Sequence, residues 1–255
     1  YEISLGLVGS EMCMRDRTPP VHRPPLLVIP TTTACIGLQP LLSVAPLEAA
    51  CTKPGPCTML PDAVLCDPTL TLGQTALVTA ATGMDALTHC IEAYLGTTWN
   101  PPADGIALDG IRRALANLDL AVRDGNNLDA RREMMAVALN AGLAAHKGLG
   151  AIEALSHALE EEIGSGVMHG FLHAALATGV VEFNAPAVTM RMTALRDALR
   201  VKRNEDVPQA IAALGVSIHL PGTLASLKLN NAARKNVARR AMEHPATRTN
   251  PRHAT

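Results

Sequence analysis

The sequence predicts a mainly α-helical protein in which a helical domain follows a short α/β segment. Hydrophobic residues make up 48% of the 255 residues but aromatic residues only 2%, so the core consists of Leu, Ala, Val, Ile and Met. Such side chains suit helices that pack closely. Prolines crowd the first 70 residues and exclude long helices there. From about residue 75 apolar residues recur at helical spacing. We therefore expect two domains, 1–73 and 74–255.

The first domain contains two short apolar runs that predict buried strands. Residues 26–29 form one run, which ends in a Pro-Thr-Thr sequence at 30–32, and residues 63–66 form the other, which ends in Asp67-Pro68. Both have the length of buried strands that stop at a loop.

The second domain opens with a helix that ends at Gly96. Its apolar residues Met84, Leu87, Ile91 and Tyr94 recur at three- and four-residue steps. A second helix begins at the cap Asn100, with prolines in its first turn, and ends at 124–125. A third spans about 128–143. We predict further helices at 150–163, 168–181, 188–200, 206–214 and 221–242.

The composition of the sequence argues against several classes of protein. A net charge of -1 and five aromatic residues argue against a nucleic-acid partner. No apolar run reaches the ~18 residues of a membrane helix, and we find no secretory signal. The six cysteines lack paired zinc-ligand spacing, so we expect reduced thiols in a cytoplasmic protein.

Carboxylates and histidines at four-residue spacing predict a metal site in the helical domain. Such pairs lie on one helix face, and oxygen and imidazole ligands suit zinc or ferrous iron. An ordinary ion pair or a hydrogen-bonded histidine is the alternative for each pair alone. A di-metal carboxylate bundle is less suitable, because it uses Glu-x-x-His steps. The residues are Asp85 and His89, on a face distinct from that of Met84, then Glu153 and His157, then His169 with His173 one turn on.

Several long segments resemble the iron-containing (group III) alcohol dehydrogenases. The similarity runs from about residue 25 to the end and is dense between 58 and 157. The segments are LPDAVLCDP at 60–68, TAATGMDALTHCIEAY at 79–94, NPPADG at 100–105, KGLGA at 147–151, LSH at 155–157 and TNPR at 249–252.

This resemblance implies a metal-dependent alcohol dehydrogenase, in which NAD or NADP takes hydride as an alcohol becomes an aldehyde or ketone. Residues 1–73 would be an incomplete remnant of an α/β nucleotide-binding domain, and 74–255 the helical metal-binding domain. Asp85 and His89 match the family's first two metal ligands, and His169 matches the last. His157 matches a histidine with a proton-relay role, or else packs between helices. The metal, Fe2+ or Zn2+, would polarise the alcohol oxygen.

The sequence departs from the family pattern around its third ligand. Glu153 stands where the family has histidine, and its role as a ligand is our inference from spacing and charge. A Pro and a glycine-containing loop are replaced by a run with three acids, 160–162, and a longer path to His169. We interpret the three acids as a solvated helix end, with a displacement of His169 as the alternative.

The cofactor-binding residues are fewer than in the family. The Gly-Gly-Gly-Ser phosphate loop is absent from the sequence, and we expect the chain to be truncated at its N-terminus. Thr31 and Thr32 match cofactor-contacting threonines, with a polar strand end as the alternative. Lys53 matches a lysine near the nicotinamide ribose, with a solvated surface residue as the alternative. Leu70 falls near another cofactor contact.

The missing phosphate loop and Glu153 leave a second function open. The chain would then be a catalytically inactive fragment or a subunit-association module of the same family. A dehydroquinate-synthase-like metal lyase ranks last, because acid-binding Lys and Arg residues are missing near the metal helices. The partners expected of the enzyme are a small alcohol or aldehyde and, as one option, a second copy in a homodimer.

Overall fold

A computed structural model describes residues 27–34, 61–164, 166–202 and 205–254. Two strands, β1 (Leu27–Val28) and β2 (Ala63–Val64), pair in parallel, with Leu27 opposite Ala63. Within the described ranges eight α-helices follow, so the mainly α fold with a short α/β segment is confirmed. None of these helices is long and apolar enough to cross a bilayer. The helices are α1 (Ala76–Leu95), α2 (Pro101–Arg123), α3 (Leu128–Ala145), α4 (Ala151–Ile163), α5 (His169–Asn184), α6 (Thr189–Ala198), α7 (Val207–Ser217) and α8 (Asn231–Glu243).

Side-chain caps set the starts of the first three helices. Thr75 accepts a hydrogen bond from the N–H of Val78, Asn100 from that of Ala103, and Asn127 from that of Ala130. Each cap satisfies a donor that has no partner inside its helix. These short-range signals explain why sequence spacing located the helices well. The strands are shorter than the predicted runs at 26–29 and 63–66, and they are not buried as predicted, since Leu27 is 57% exposed and Ala63 is exposed as well.

Helix α1 is the centre of the helical domain. It packs against α2, α3 and α5, and residues 79–81 and 83–95 are buried. Met84 and Leu87 lie in the core as predicted, but Asp85 and His89 on the other face are buried as well. A helix surrounded on all sides has no polar outer face. The two faces therefore differ in chemistry and not in exposure.

The predicted last helix, 221–242, is wrong in extent. Residues Leu224–Leu227 form a 3-10 turn, and Lys228 follows in the left-handed region with φ of 47°. Asn230 then starts α8 by accepting a hydrogen bond from the N–H of Ala233. A left-handed residue ends a right-handed helix, and an N-cap side chain favours a new start.

Gly170 lets α5 cross α1 at close range. A Cβ atom at this position would overlap the backbone carbonyl of Ala81. The neighbouring residue His169 is thereby held against the part of α1 that carries Asp85. Gly170 itself lies in an ordinary helical turn, so the requirement is for space rather than for an unusual φ.

A buried lysine closes the C-terminal end of α1. Lys147 Nζ donates to the carbonyl oxygens of Ala93 at 2.7 Å and Tyr94 at 3.2 Å, and to Asp104 Oδ1 at 2.5 Å. Arg191 pairs with the other carboxylate oxygen of Asp104 at 3.1 Å. Burial lowers the pKa of Lys147, against the opposing influence of Asp104. A cation at this position complements the helix dipole.

The C-terminal tail fixes the start of α4. Asn250 and Asn184 are both buried and exchange side-chain hydrogen bonds at 2.9 and 3.0 Å. Asn250 Oδ1 also accepts from the N–H of Ala151, the first residue of α4, at 3.1 Å. The TNPR segment thus contributes to the position of the helix that carries Glu153.

Candidate metal centre

The four predicted metal ligands converge from three helices. Asp85 and His89 come from α1, Glu153 from α4, and His169 from the first turn of α5. All but His169 are buried, with side-chain exposures of 4–9%, and His169 is 27% exposed. The centre therefore lies at the edge of the helical core with one side accessible.

The carboxylate of Glu153 lies in the middle of this cluster. Its Oε2 is 3.2 Å from His89 Nε2 and 3.3 Å from His169 Nε2. Its Oε1 is 3.1 Å from His157 Nε2. On the other side, Asp85 Oδ1 lies 3.4 Å from His89 Nδ1 and 3.9 Å from His169 Nε2.

The start of α4, and with it Glu153, is held by a second carboxylate. Glu92 accepts hydrogen bonds from the backbone N–H groups of Ile152 at 2.6 Å and Glu153 at 3.2 Å. These are orphan donors of a helix N-terminus. Burial raises the pKa of Glu92 to about 7, although these two hydrogen bonds oppose the shift. Sequence reasoning missed Glu92, three residues after His89.

Opposite charges stabilise each other across the cluster. Burial alone would raise the pKa of Glu153, but the surrounding histidines, His89 foremost, hold it well below its usual range. Burial would lower the pKa of His169, yet hydrogen bonds to Glu153 and Glu160 raise it to about 10. A cation is therefore favoured between these groups, whether it is a proton or a metal ion.

The positions of the ring protons test whether a metal ion fits. His89 Nδ1 lies 2.9 Å from the Asp85 carbonyl oxygen, which can only accept, so Nδ1 carries the proton. His169 Nδ1 likewise donates to Glu160 Oε1 at 2.8 Å. In the neutral form of each ring, Nε2 then carries a lone pair, and this lone pair faces Glu153 Oε2. A lone pair and a carboxylate attract only through a shared cation.

Asp85 supplies a further observation. Its Oδ1 is buried and accepts no hydrogen bond from any residue in the described part of the chain. A buried carboxylate oxygen of this kind is costly unless a cation balances it. Both the oxygen and the two Nε2 atoms therefore fit a divalent cation such as zinc or ferrous iron.

Two groups of three side chains each bring ligand atoms within 4.8 Å of one another. They share His169. The first adds Asp85 and His173, and the second adds Glu153 and His157. His173 is absent from the predicted ligand set, although its four-residue step from His169 was visible in the sequence. Burial lowers the pKa of His173 to about 4, and the neighbouring His169 adds to this shift.

The acidic run at 160–162 is only in part the solvated helix end expected from the sequence, because Glu161 is exposed but Glu160 and Glu162 are half-buried. Glu160 accepts a hydrogen bond from His169 Nδ1 and lies 3.7 Å from His157 Nδ1. Glu162 pairs with Arg240 of α8 at 3.3 Å, and Glu161 with the same guanidinium at 3.6 Å. When a histidine binds a metal through one ring nitrogen, a carboxylate that accepts the hydrogen bond of the other ring nitrogen fixes the orientation of the ring.

His157 lies at the accessible rim of the centre. Its side chain is 26% exposed, and its ring stacks on His244 with 5.2 Å between centroids. It therefore has the buried Glu153 carboxylate on one side and an accessible surface on the other.

The predicted cofactor residues lie at the end of β1 and in the turn before α1. Thr31 is exposed, and its carbonyl accepts a hydrogen bond from Gln74; Thr32 Oγ1 accepts from the N–H of Ala34 at 3.3 Å. Leu70 is 46% exposed. Lys53 lies outside the described residues.

Thr33, which sequence reasoning did not select, is buried next to α1. Its Oγ1 lies 2.7 Å from Thr82 Oγ1. Thr82 precedes Asp85 by three residues on α1. This contact brings the segment after β1 to within about one helical turn of the metal centre.

Comparison with known proteins decides the family. Residues 79–255 match the family described as Fe-containing alcohol dehydrogenase family, C-terminal. The chain belongs to this family. The resemblance inferred from the sequence is thus confirmed for residues 79–255.

The relatives that this member of the alcohol dehydrogenase family matches are longer than the chain itself. A 4-hydroxybutyrate dehydrogenase of Cupriavidus necator is 40% identical over 204 residues, which are 77% of this chain and 53% of that protein. The crystal structure of a 1,3-propanediol oxidoreductase matches with a TM-score of 0.78 and 28% identity, over 93% of this chain and 64% of that one. A sulfoacetaldehyde reductase of Bifidobacterium kashiwanohense in complex with NAD+ gives 0.78 and 26%, over 92% and 63%. The chain thus spans between half and two thirds of these relatives.

Proposed function

We propose that this chain is the metal-binding part of an NAD(P)-dependent alcohol dehydrogenase, which interconverts a small alcohol and its aldehyde or ketone. The observation that carries the proposal is the convergence of Asp85, His89, Glu153 and His169, with the Nε2 lone pairs directed at one carboxylate. The names of the relatives, which include dehydrogenases and reductases of small oxygenated molecules, support the same reaction class.

The proposed ligands are Asp85, His89, Glu153 and His169. A divalent metal ion bound there would polarise the alcohol oxygen as a Lewis acid. Two carboxylates and two neutral imidazoles balance its charge, and this lowers the positive charge left for polarisation. Glu160 holds His169 in the tautomer whose Nε2 is free to bind, by accepting its Nδ1 proton.

His157 is the proposed proton relay. Its Nε2 contacts Glu153 Oε1 at 3.1 Å, and the partly exposed ring connects the centre to solvent. An imidazole can both accept and donate a proton at neutral pH. Glu160, 3.7 Å from His157 Nδ1, orients the ring for this transfer.

The cofactor would bind on the side of α1 next to Thr31, Thr32 and Leu70, with Lys53 as a further contact. Support comes from the contact between Thr33 and Thr82, which joins this segment to the metal helix. NAD is the more direct inference because a structural neighbour binds NAD+. Hydride would then pass from the substrate carbon to the nicotinamide ring.

Metal content and cofactor binding test the proposal on the chain as it exists. The purified protein should contain or take up Fe2+ or Zn2+, and His89→Gln should bind neither, while the exposed-site variant His219→Asn should bind as the wild type does. NADH should bind saturably. A wild-type protein without any metal affinity contradicts the metal role. Metal binding without nicotinamide binding supports the alternative, an inactive or subunit-association module.

A further inference from the structure

His173 is a fully buried imidazole in the centre that the proposed ligand set does not use. Its ring centroid lies 4.3 Å from that of His169 and 5.2 Å from that of His89. Its Nε2 is 3.4 Å from Glu153 Oε2, and its Nδ1 is 3.4 Å from Asp85 Oδ1. The side chain has 0% exposure.

A hydroxyl group fixes the tautomer of this ring. Thr88 Oγ1 lies 2.6 Å from His173 Nδ1, and the same hydroxyl donates to the backbone carbonyls of Met84 at 3.0 Å and Asp85 at 2.9 Å. Since the single hydroxyl proton is directed at these carbonyls, Nδ1 of His173 is the donor to Thr88. In a neutral ring the remaining nitrogen, Nε2, then carries the lone pair.

Two oxygen atoms lie close to His173 Nε2. Ser156 Oγ lies 3.1 Å away, and its hydroxyl donates to the backbone carbonyl of Glu153 at the shorter distance of 2.8 Å. Glu153 Oε2 is the other neighbour. The lone pair of His173 therefore faces the same carboxylate oxygen as those of His89 and His169.

Three Nε2 atoms thus surround Glu153 Oε2 at 3.2, 3.3 and 3.4 Å, from His89, His169 and His173 in that order. Ligand atoms of Asp85, His169 and His173 also lie within 4.8 Å of one another. Imidazole nitrogen is a ligand for zinc and for iron alike.

We propose that His173 is a direct metal ligand, bound through Nε2, so that three imidazoles and the carboxylates of Asp85 and Glu153 hold the ion. The inference rests on the proposed function, because it requires a resident divalent cation. Thr88 is then a positioning residue, which holds the ring in the tautomer that can bind. Ser156 leaves Nε2 without a competing donor while its proton stays on the Glu153 carbonyl.

Cobalt binding to the metal-free protein provides the first test, with Co2+ itself as the probe. His173→Leu removes the imidazole and leaves Thr88 and Ser156 bonded to backbone carbonyls. Co2+ affinity should fall by more than the roughly 10–100-fold that an outer-shell partner costs, and the visible spectrum should change. Thr88→Val should weaken binding about 10-fold with the imidazole still present. His219→Asn, at an exposed residue with φ of 60°, should behave as the wild type.

The wild-type protein provides a second test that does not depend on the folding of a variant. In the paramagnetic Co2+ form, each histidine bound through Nε2 gives one shifted, exchangeable Nδ1–H proton signal. Three such signals are expected from His89, His169 and His173. Two signals, or a His173→Leu variant with unchanged affinity and spectrum, overturn the inference while the proposed function stands. A wild-type protein that binds no Co2+ or Zn2+ overturns both.

Discussion

The side-chain carboxylate of Glu92 accepts a hydrogen bond from the backbone N–H of Glu153, with 3.2 Å between oxygen and nitrogen. One acidic residue of α1 thereby fixes the position of another at the start of α4. The second bond of Glu92, to the N–H of Ile152, is shorter at 2.6 Å. The proposed metal centre therefore depends on a residue that would not touch the ion.

Glu92→Ala should destabilise the metal-free protein by about 2 kcal/mol, because it leaves two buried N–H groups of a helix start without acceptors. Glu153 should also lose its fixed position, so Zn2+ affinity should fall. Urea unfolding and a competitive chelator titration measure the two effects. Glu243→Ala removes an exposed carboxylate that pairs with Arg239 and should change neither. An unaltered Glu92→Ala protein would show that the capping bonds contribute little.

Gly170→Ala and Gly179→Ala form a matched pair on α5. We expect the first to lower the free energy of unfolding and the second to raise it. At Gly170 the new Cβ overlaps the Ala81 carbonyl, so α5 must move away from α1, at a cost of roughly 3 kcal/mol or more. At Gly179 no atom lies within 4 Å of the new Cβ. Alanine should therefore raise the free energy of unfolding by about 0.5–1 kcal/mol through its better helix propensity. Thermal unfolding measures both. Equal effects of the two substitutions would argue against the close helix crossing.

Lys147→Met should destabilise the fold by roughly 2–3 kcal/mol, since Asp104 loses a buried partner and two carbonyl groups at the end of α1 lose their donor. Arg191 retains its bond to Asp104 and limits the loss. Lys202→Met, at an exposed lysine paired with Glu205 at 3.7 Å, should change stability by less than about 0.5 kcal/mol. The difference between the two unfolding free energies is the quantity to compare.

Removal of metal should lower the melting temperature. An ion present at 100 times its dissociation constant stabilises the folded state by about 2.7 kcal/mol. Zn2+ should therefore raise the unfolding temperature of the metal-free protein, and a chelator should reverse the rise. Asp85→Asn should abolish most of the rise in unfolding temperature that Zn2+ causes. Asp119→Asn, which alters a surface pair with Arg123, should retain this rise. A shift that persists in Asp85→Asn would place the ion elsewhere.

The helices could be predicted from the sequence because their starts depend on local caps. Asn100 with its following prolines defines α2 by itself. The break before α8 was missed, since Lys228 and Asn230 are weak signals without knowledge of the backbone. The predicted ligands Asp85 and His89 were found from their spacing on one helix.

Other parts of the centre could not be predicted in this way. Glu92 accepts a hydrogen bond from Ile152, 60 positions away in the chain, and Glu160 accepts one from His169, nine positions away. Their roles depend on how α1, α4 and α5 cross, which spacing within one helix does not contain. The two-domain boundary and the cofactor residues stay predictions.

The burial of most of α1 has a practical consequence for mutagenesis. A helix that holds proposed ligands and also touches three neighbouring helices makes loss of activity an ambiguous phenotype, since a variant can fail by unfolding or by losing its ion. A screen for substitutions that α1 tolerates would therefore not distinguish unfolding from loss of the ion. Variants of α4 and α5 at the rim, such as those of His157, separate chemistry from folding more cleanly.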